Sequence, residues 1–388
     1  MQHFRFHRRS SIRCLAVLAA ILAGAGSALL GVCGPFVDTA NDGFCPFVLE
    51  IFTLGITTGT TPTTYSPADT VSRLQMAAFL SRTVDGALRR GSRRAALEQF
   101  WTPQATTSLR RTAVGSSPRF VKSDGTDLWV GDATDDTVSR VRGSDGRLVE
   151  VWTGATNATG LVVAIGRVYA AGNLPSGNLY EIDPGQAAGA VTTVSTNLGV
   201  NPRNLAFDGI KVWSANQAGS VSLATPGPVP WAVTTVTTGF NSLEGILYDG
   251  ANIWVTDDGA GTLLKLNAAG GVLQTVTVGT GPQSPVFDGS NIWVPNLTSD
   301  SVTVVRASSG AVLATLTGNG LSSTHAAAFD GQRVLVTSGT GAVSLWKAAD
   351  FTPLGFLDTG AATQPYGACS DGHYFWFVMN DVDSLVRF

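Results

Sequence analysis

Pro285-Val286-Phe287-Asp288-Gly289-Ser290-Asn291-Ile292-Trp293-Val294 decides the fold of this chain. Its first three residues read as a strand, Asp288 to Asn291 as a turn, and Ile292 to Val294 as the returning strand. Asp bonds forward to the backbone in such a turn, and Gly accepts the positive φ it requires. Beyond it, Pro295–Asp300 reverses the chain, and Ser301–Arg306 alternates polar and apolar residues. Ala307–Gly310 turns again and Ala311–Leu316 supplies a fourth strand. The unit is a four-stranded up-and-down meander.

The same phrase recurs at Asp124–Trp129, Asp208–Trp213, Asp249–Trp254 and Asp371–Trp376, and at Asp330–Leu335 with Leu in place of Trp. An eroded copy carries Ala164 at the Asp position and Tyr169 at the Trp position. The spacings are 40, 44, 41, 39, 42 and 41 residues. A strand-built repeat of that period predicts an all-β fold, a seven-bladed β-propeller of four-stranded antiparallel blades over residues 109–388. The large ring of each copy is expected to pack between neighbouring blades. After Asp371 the chain provides only Tyr374–Met379 and Ser384–Phe388, one strand short of a blade. Leu109–Gly115 has the fourth-strand pattern of Leu273–Gly279, so this N-terminal strand is expected to complete the last blade and cover its edge.

The Asp-Gly-x-x-apolar-aromatic phrase resembles the YVTN/NHL-type propellers of secreted bacterial proteins and the related streptogramin lyases. The Gly-His and Trp-Asp marks of WD-repeat proteins are missing. The resemblance spans residues 109–388 and implies the fold; propellers host unrelated functions, so it does not fix an activity.

In front of the repeats the texture changes. Arg5, Arg8, Arg9 and Arg13 precede the apolar run Cys14–Gly31, with small residues at Ala23–Ala25 and Gly26–Ala28. This reads as an export signal over residues 1–28, and a retained anchor or a lipoprotein at Cys33 are the other readings. Cys33 and Cys45 are expected to form a disulfide in an exported protein, while Cys369 falls within a strand and reads as a buried apolar residue. Residues 29–84 carry Phe36-Val37-Asp38, a helical pattern from Phe44, a loop with Tyr65-Ser66-Pro67, and Ser72-x-x-Gln75 opening a second helix. That order resembles an S-layer homology (SLH) module. The resemblance implies attachment to a cell-wall polymer or peptidoglycan, with Arg73 as the contact. Gln75 stands where the family has Glu, and one module is present where three are common, so a folded spacer is the competing reading. Residues 85–108 are expected to be a linker with a short helix, its Arg89, Arg90, Arg93 and Arg94 forming a solvated face or touching an anionic surface.

With 14% charged residues and a net charge of −3, no basic face is implied and nucleic acid is not an expected partner. The expected location is secreted, at the cell surface or envelope.

Counting back five residues from each motif position gives Arg119, Thr159, Arg203, Glu244, Gln283, His325 and Tyr366. These polar or amphipathic residues interrupt apolar strands that should line the central channel. They read either as a mouth for a small molecule or protein, with Arg119 and Arg203 receiving an anionic group, or as an ordinary wet wall in which Arg203 pairs with Glu244. Asp132, Asp135, Asp136, Asp257, Asp258, Asp300, Asp381 and Asp383 fall on the same face, as turn residues or as a calcium site. No cofactor is required by this reading. The resemblance to lyases that use histidine, glutamate and magnesium implies an alternative: His325 as base, with Glu244 as a proton partner or divalent-metal ligand. Other catalytic or metal signatures are lacking.

Overall fold

In the computed structural model, residues 35–39, 44–53, 56–90, 110–360 and 363–388 are described. The chain divides into two compact units, Met1–Trp101 and Thr102–Phe388. The expected export signal, Cys33 of the expected disulfide, and Arg93 and Arg94 lie outside the described residues.

The first unit holds helix α1 (Cys45–Thr53) and helix α2 (Arg73–Arg90). Its small core is Phe36 and Val48, with Phe52 and Tyr65 packed against them; the Phe36 and Phe52 rings meet edge-on at 5.2 Å. Asp38 ties the loop down by accepting the amides of Tyr65 and Ser66, bonds that hold its carboxyl below the ordinary carboxylate range. α2 opens with a reciprocal capping box: Ser72 N donates to Gln75 Oε1 at 2.8 Å and Gln75 N to Ser72 Oγ at 3.2 Å. The helix continues past Val84 to Arg90, through Gly86 and into the stretch read as linker. Cys45 opens α1, and exposed Arg73 opens α2. Among the described residues no helix is long and apolar enough to cross a membrane.

The second unit is a seven-bladed propeller in which every blade is a four-stranded antiparallel sheet. The innermost strands of blades 1 to 7 are Pro118–Ser123, Ala158–Ala164, Pro202–Phe207, Leu243–Tyr248, Val286–Phe287, Thr324–Phe329 and Pro365–Ser370. Each contacts the next in cyclic order, and that of blade 7 contacts that of blade 1. Blade 7 draws on both ends of the repeat region: Arg110–Ala113 runs antiparallel to Ser384–Arg387, with Arg110 opposite Arg387 and Ala113 opposite Ser384.

Burial follows position in the blade. Every residue of the second strands Asp127–Asp132, Arg333–Ser338 and Phe375–Met379 is buried, whereas the outer strand Leu148–Thr153 is largely exposed. Trp129, Trp213, Trp254, Trp293 and Trp376 are fully buried, each among residues of the following blade. Trp293, for instance, packs with Ala327 and Val334.

The motif aspartate does more than make a turn. In all five Trp-bearing copies its Oδ2 accepts the indole Nε1–H at 2.7–2.8 Å. Its Oδ1 accepts the backbone amides two and three residues on, as Asp288 does from Ser290 and Asn291. One carboxylate therefore fixes the turn and satisfies a buried indole. In blade 6, where Leu335 offers no donor, Asp330 Oδ2 accepts from Arg333 Nε at 2.9 Å instead. In blade 2, which lacks the aspartate, burial and the neighbouring Glu181 raise the Tyr169 phenol above its ordinary range.

Candidate functional site

The inner strand of six blades is interrupted at one place. Pairing with the second strand skips Arg119, Thr159–Gly160, Arg203, Glu244–Gly245, His325–Ala326 and Tyr366–Gly367. Each of these side chains sits on a β-bulge, which bends the strand and re-aims the residue. In blade 5 the departure is larger. Gln283 still donates to Pro295 O of its own blade, but Ser284 exchanges backbone bonds with blade 6, donating to His325 O and accepting from Ala327 N.

Small residues beside the bulges let inner strands converge. A Cβ on Gly160 would lie 2.4 Å from Asn204 Cα, and one on Gly367 would lie 2.4 Å from the Arg119 carbonyl oxygen. At the same level Gly245 presents no side chain, and Asn204 Nδ2 of blade 3 reaches Ser284 Oγ of blade 5 at 3.0 Å.

The ring divides into two parts. In blades 6, 7 and 1, His325 stacks on Tyr366 with centroids 4.0 Å apart and planes 24° from parallel. Arg119 Cζ lies 5.0 Å from the centre of the same Tyr366 ring, and Phe120 meets it edge-on. Burial, with Arg119 adding its charge, lowers the His325 pKa to about 4, so the imidazole is neutral at pH 7. Its buried Nδ1 has no hydrogen-bond partner among the described residues.

In blades 3 to 5 the groups engage one another. Arg203 Nε lies 3.3 Å from Glu244 Oε2, close enough to attract but not aligned as a hydrogen bond. Gln217 Nε2 donates to Glu244 Oε1 at 3.1 Å, and Gln283 Nε2 to Asp258 Oδ1 at 3.3 Å. Burial raises the Glu244 carboxyl, with Arg203 and Arg119 opposing and Asp258 reinforcing the shift. Burial raises Asp258 as well. Thr159 departs from the expected lining. It is buried, and its hydroxyl reaches the carbonyls of Ala171 and Pro202 at 3.3 and 3.0 Å, so it joins blade 2 to blade 3 rather than facing the channel.

Gln217 and Asp258 each stand nine residues after a motif aspartate and meet the ring residue of the next blade. Asp258 is among the loop residues expected on this face; counting forward as well as back would have added Gln217.

Five of the acidic loop residues cap backbone amides. Asp136 Oδ1 accepts from Asn157 N, Asp300 Oδ1 from Ser323 N and Asp383 Oδ1 from Ser117 N, at 2.7, 2.6 and 2.9 Å. All six residues have positive φ, so each carboxylate pins one left-handed residue to another across a blade junction. Asp257 accepts the amides of Asn241 and Ser242, and Asp135 that of Ser116. Asp132 is fully buried, and burial pushes its carboxyl up to about 7 against hydrogen bonds from Ser139 and Thr137. Among the described residues no three His, Cys, Asp or Glu side chains gather to hold a metal ion. His325 and Glu244, proposed as catalytic partners, are engaged separately, and no contact joins them. Cys369 is buried, which raises its thiol to about 12, as befits an unreactive apolar residue.

No protein-family model matches the chain, and no curated protein does. Solved structures do. A streptogramin B lyase superimposes with a TM-score of 0.61 at 14% identity, covering 74% of this chain and 99% of its own. A catalytically inactive variant of virginiamycin B lyase from Staphylococcus aureus, with quinupristin, gives 0.61 at 14% identity, covering 72% and 98%. The WD40 propeller domain of Doa1 gives 0.60 at 14% identity, covering 73% and 95%. A lyase and a WD40 domain fit equally well, so the likeness is one of fold.

Proposed function

We propose that this is an exported, envelope-associated binding propeller whose channel mouth receives an anionic ligand, held near the wall by its N-terminal unit. The observation that carries the reading is Arg119. Its guanidinium forms no ion pair among the described residues, yet it is held over Tyr366, the ring on which a neutral His325 stacks. Arg203 is already matched by Glu244, which leaves Arg119 to meet an incoming anion. A thermal-shift screen of small carboxylates and phosphate esters on the full chain tests this. A hit should disappear in Arg119→Ala, and a screen with no hit, or a hit indifferent to that change, overturns it.

Wall attachment through an SLH-like unit rests on the capping box, the Phe36–Tyr65 core and exposed Arg73 at the helix start. Co-sedimentation with purified peptidoglycan or wall polymer should be weakened by Arg73→Ala, and absence of retention sinks this part. The strand Arg110–Ala113 is proposed to latch the ring through its pairing with Ser384–Arg387.

A lyase-like activity is the second reading, favoured by the neutral His325 with an unpartnered Nδ1. It requires turnover that is lost in His325→Ala.

A further inference from the structure

The face opposite the ring carries the Asp-Gly turns, and there a cleft of about 380 Å³ opens between blades 4 and 5. Asn252, Lys265, Phe287, Ser290, Arg306 and Ser308 help line it. We propose that this cleft binds an oxyanion carried on a hydroxylated body, the chemistry of a sugar phosphate or an acidic sugar.

The argument begins with charge. Several cations of these strands and turns have carboxylate partners: Arg140 has Asp127 and Glu150, Arg142 has Asp145, Arg167 has Asp183, Arg333 has Asp330, and Lys347 has Asp350, whereas Lys122, Arg147, Lys211 and Arg387 stand singly without an ion pair among the described residues. Lys265 and Arg306 have no ion pair among the described residues, and both border this one cleft. Lys265 is also held in place, its Nζ 5.2 Å from the centre of the buried Trp254 ring. Asp249 is the carboxylate on the wall. Its Oδ2 accepts from Trp254 Nε1 and its Oδ1 from the amides of Ala251 and Asn252, so its oxygens are directed at its own turn. Two cations against one carboxylate leave a net positive wall.

The rest of the lining suits a polar body. The Asn252 amide and the hydroxyls of Ser290 and Ser308 supply donors and acceptors, with the Phe287 ring as the one large apolar surface. The volume falls in the range of small-molecule sites, which run from roughly 300 to 1,000 Å³. The site is independent of the channel mouth.

Calorimetric titration of the full chain with glucose 6-phosphate, glucuronate, inorganic phosphate and glucose tests the proposal. One of the two charged sugars should bind saturably, more weakly as salt rises, and glucose should not bind. Which charged sugar binds identifies the oxyanion. Lys265→Gln and Arg306→Gln should each weaken binding at least fivefold, and Lys265→Arg should retain it. The proposal is overturned if neither charged sugar saturates, or if both glutamine variants bind like the parent. Inorganic phosphate binding as tightly as either sugar, an adventitious ion only, overturns it as well.

Discussion

The two ends of each inner strand follow opposite rules. At the Asp-Gly end, five blades repeat one arrangement down to the indole bond, and a sixth substitutes Arg333 for the missing donor. At the bulged end no two consecutive blades present the same side chain. Where each blade must do the same job, packing a ring against its neighbour and satisfying it, the sequence repeats. Where the side chain is released from pairing, it is free to differ, and blades 3 to 5 and 6 to 1 have become an ion-paired side and a stacked side.

Breaking the repeated end should cost most. Trp293→Ala removes a fully buried ring and one of the two donors to Asp288 Oδ2, and denaturant unfolding should show a loss of about 3–5 kcal/mol. Gly160→Ala strikes the convergence of inner strands, placing a Cβ 2.4 Å from Asn204 Cα. Overpacking of this kind should cost about 1–3 kcal/mol, with the structure of each single blade retained.

Asp132→Asn sharpens the comparison, since blades 3 and 5 already carry Asn216 and Asn296 at that position, bonded to nearby hydroxyls. The Asp132 carboxyl titrates at about 7 when folded and lower when unfolded. Its contribution is therefore fully present below the unfolded pKa and is lost as pH rises through about 7. Thermal midpoints measured from pH 5 to 8 should fall with pH in the parent and stay flatter in Asp132→Asn. The gain at pH 8 should be on the order of 1–2 kcal/mol. Arg119→Ala should move stability least, within about 0.5 kcal/mol, because its guanidinium lies at the mouth without an ion pair. A larger loss would mean that the stacked side is scaffold.

Period and blade number were legible because each rests on local turn chemistry that recurs in six blades, with an eroded copy in blade 2. The pairing of Arg203 with Glu244 was also among the readings, being the contact of adjacent blades. The bulges were not legible as such, because a skipped pairing depends on the partner strand, although Gly160, Gly245 and Gly367 just after three ring positions marked it. The inward turn of Thr159 had no signal at all: a threonine that bridges two carbonyls looks the same in sequence as one that lines a channel. The cleft between blades 4 and 5 escaped for a related reason, since Lys265 and Arg306 differ from Arg140 or Lys347 only in lacking a partner.

The carboxylate bonds at the Asp-Gly turns bear on chemical ageing. In a loose chain, the amide nitrogen of a glycine after aspartate attacks the side-chain carboxyl, closing a succinimide that reopens largely as isoaspartate. Here each motif carboxylate in the five tryptophan blades is held by an indole and two amides farther along the chain. In blades 1 and 7 the glycine amide itself donates to a serine hydroxyl, Ser123 or Ser370. The fold thus shelters its own most perishable dipeptides, and isoaspartate should accumulate at these turns only in molecules that have come apart.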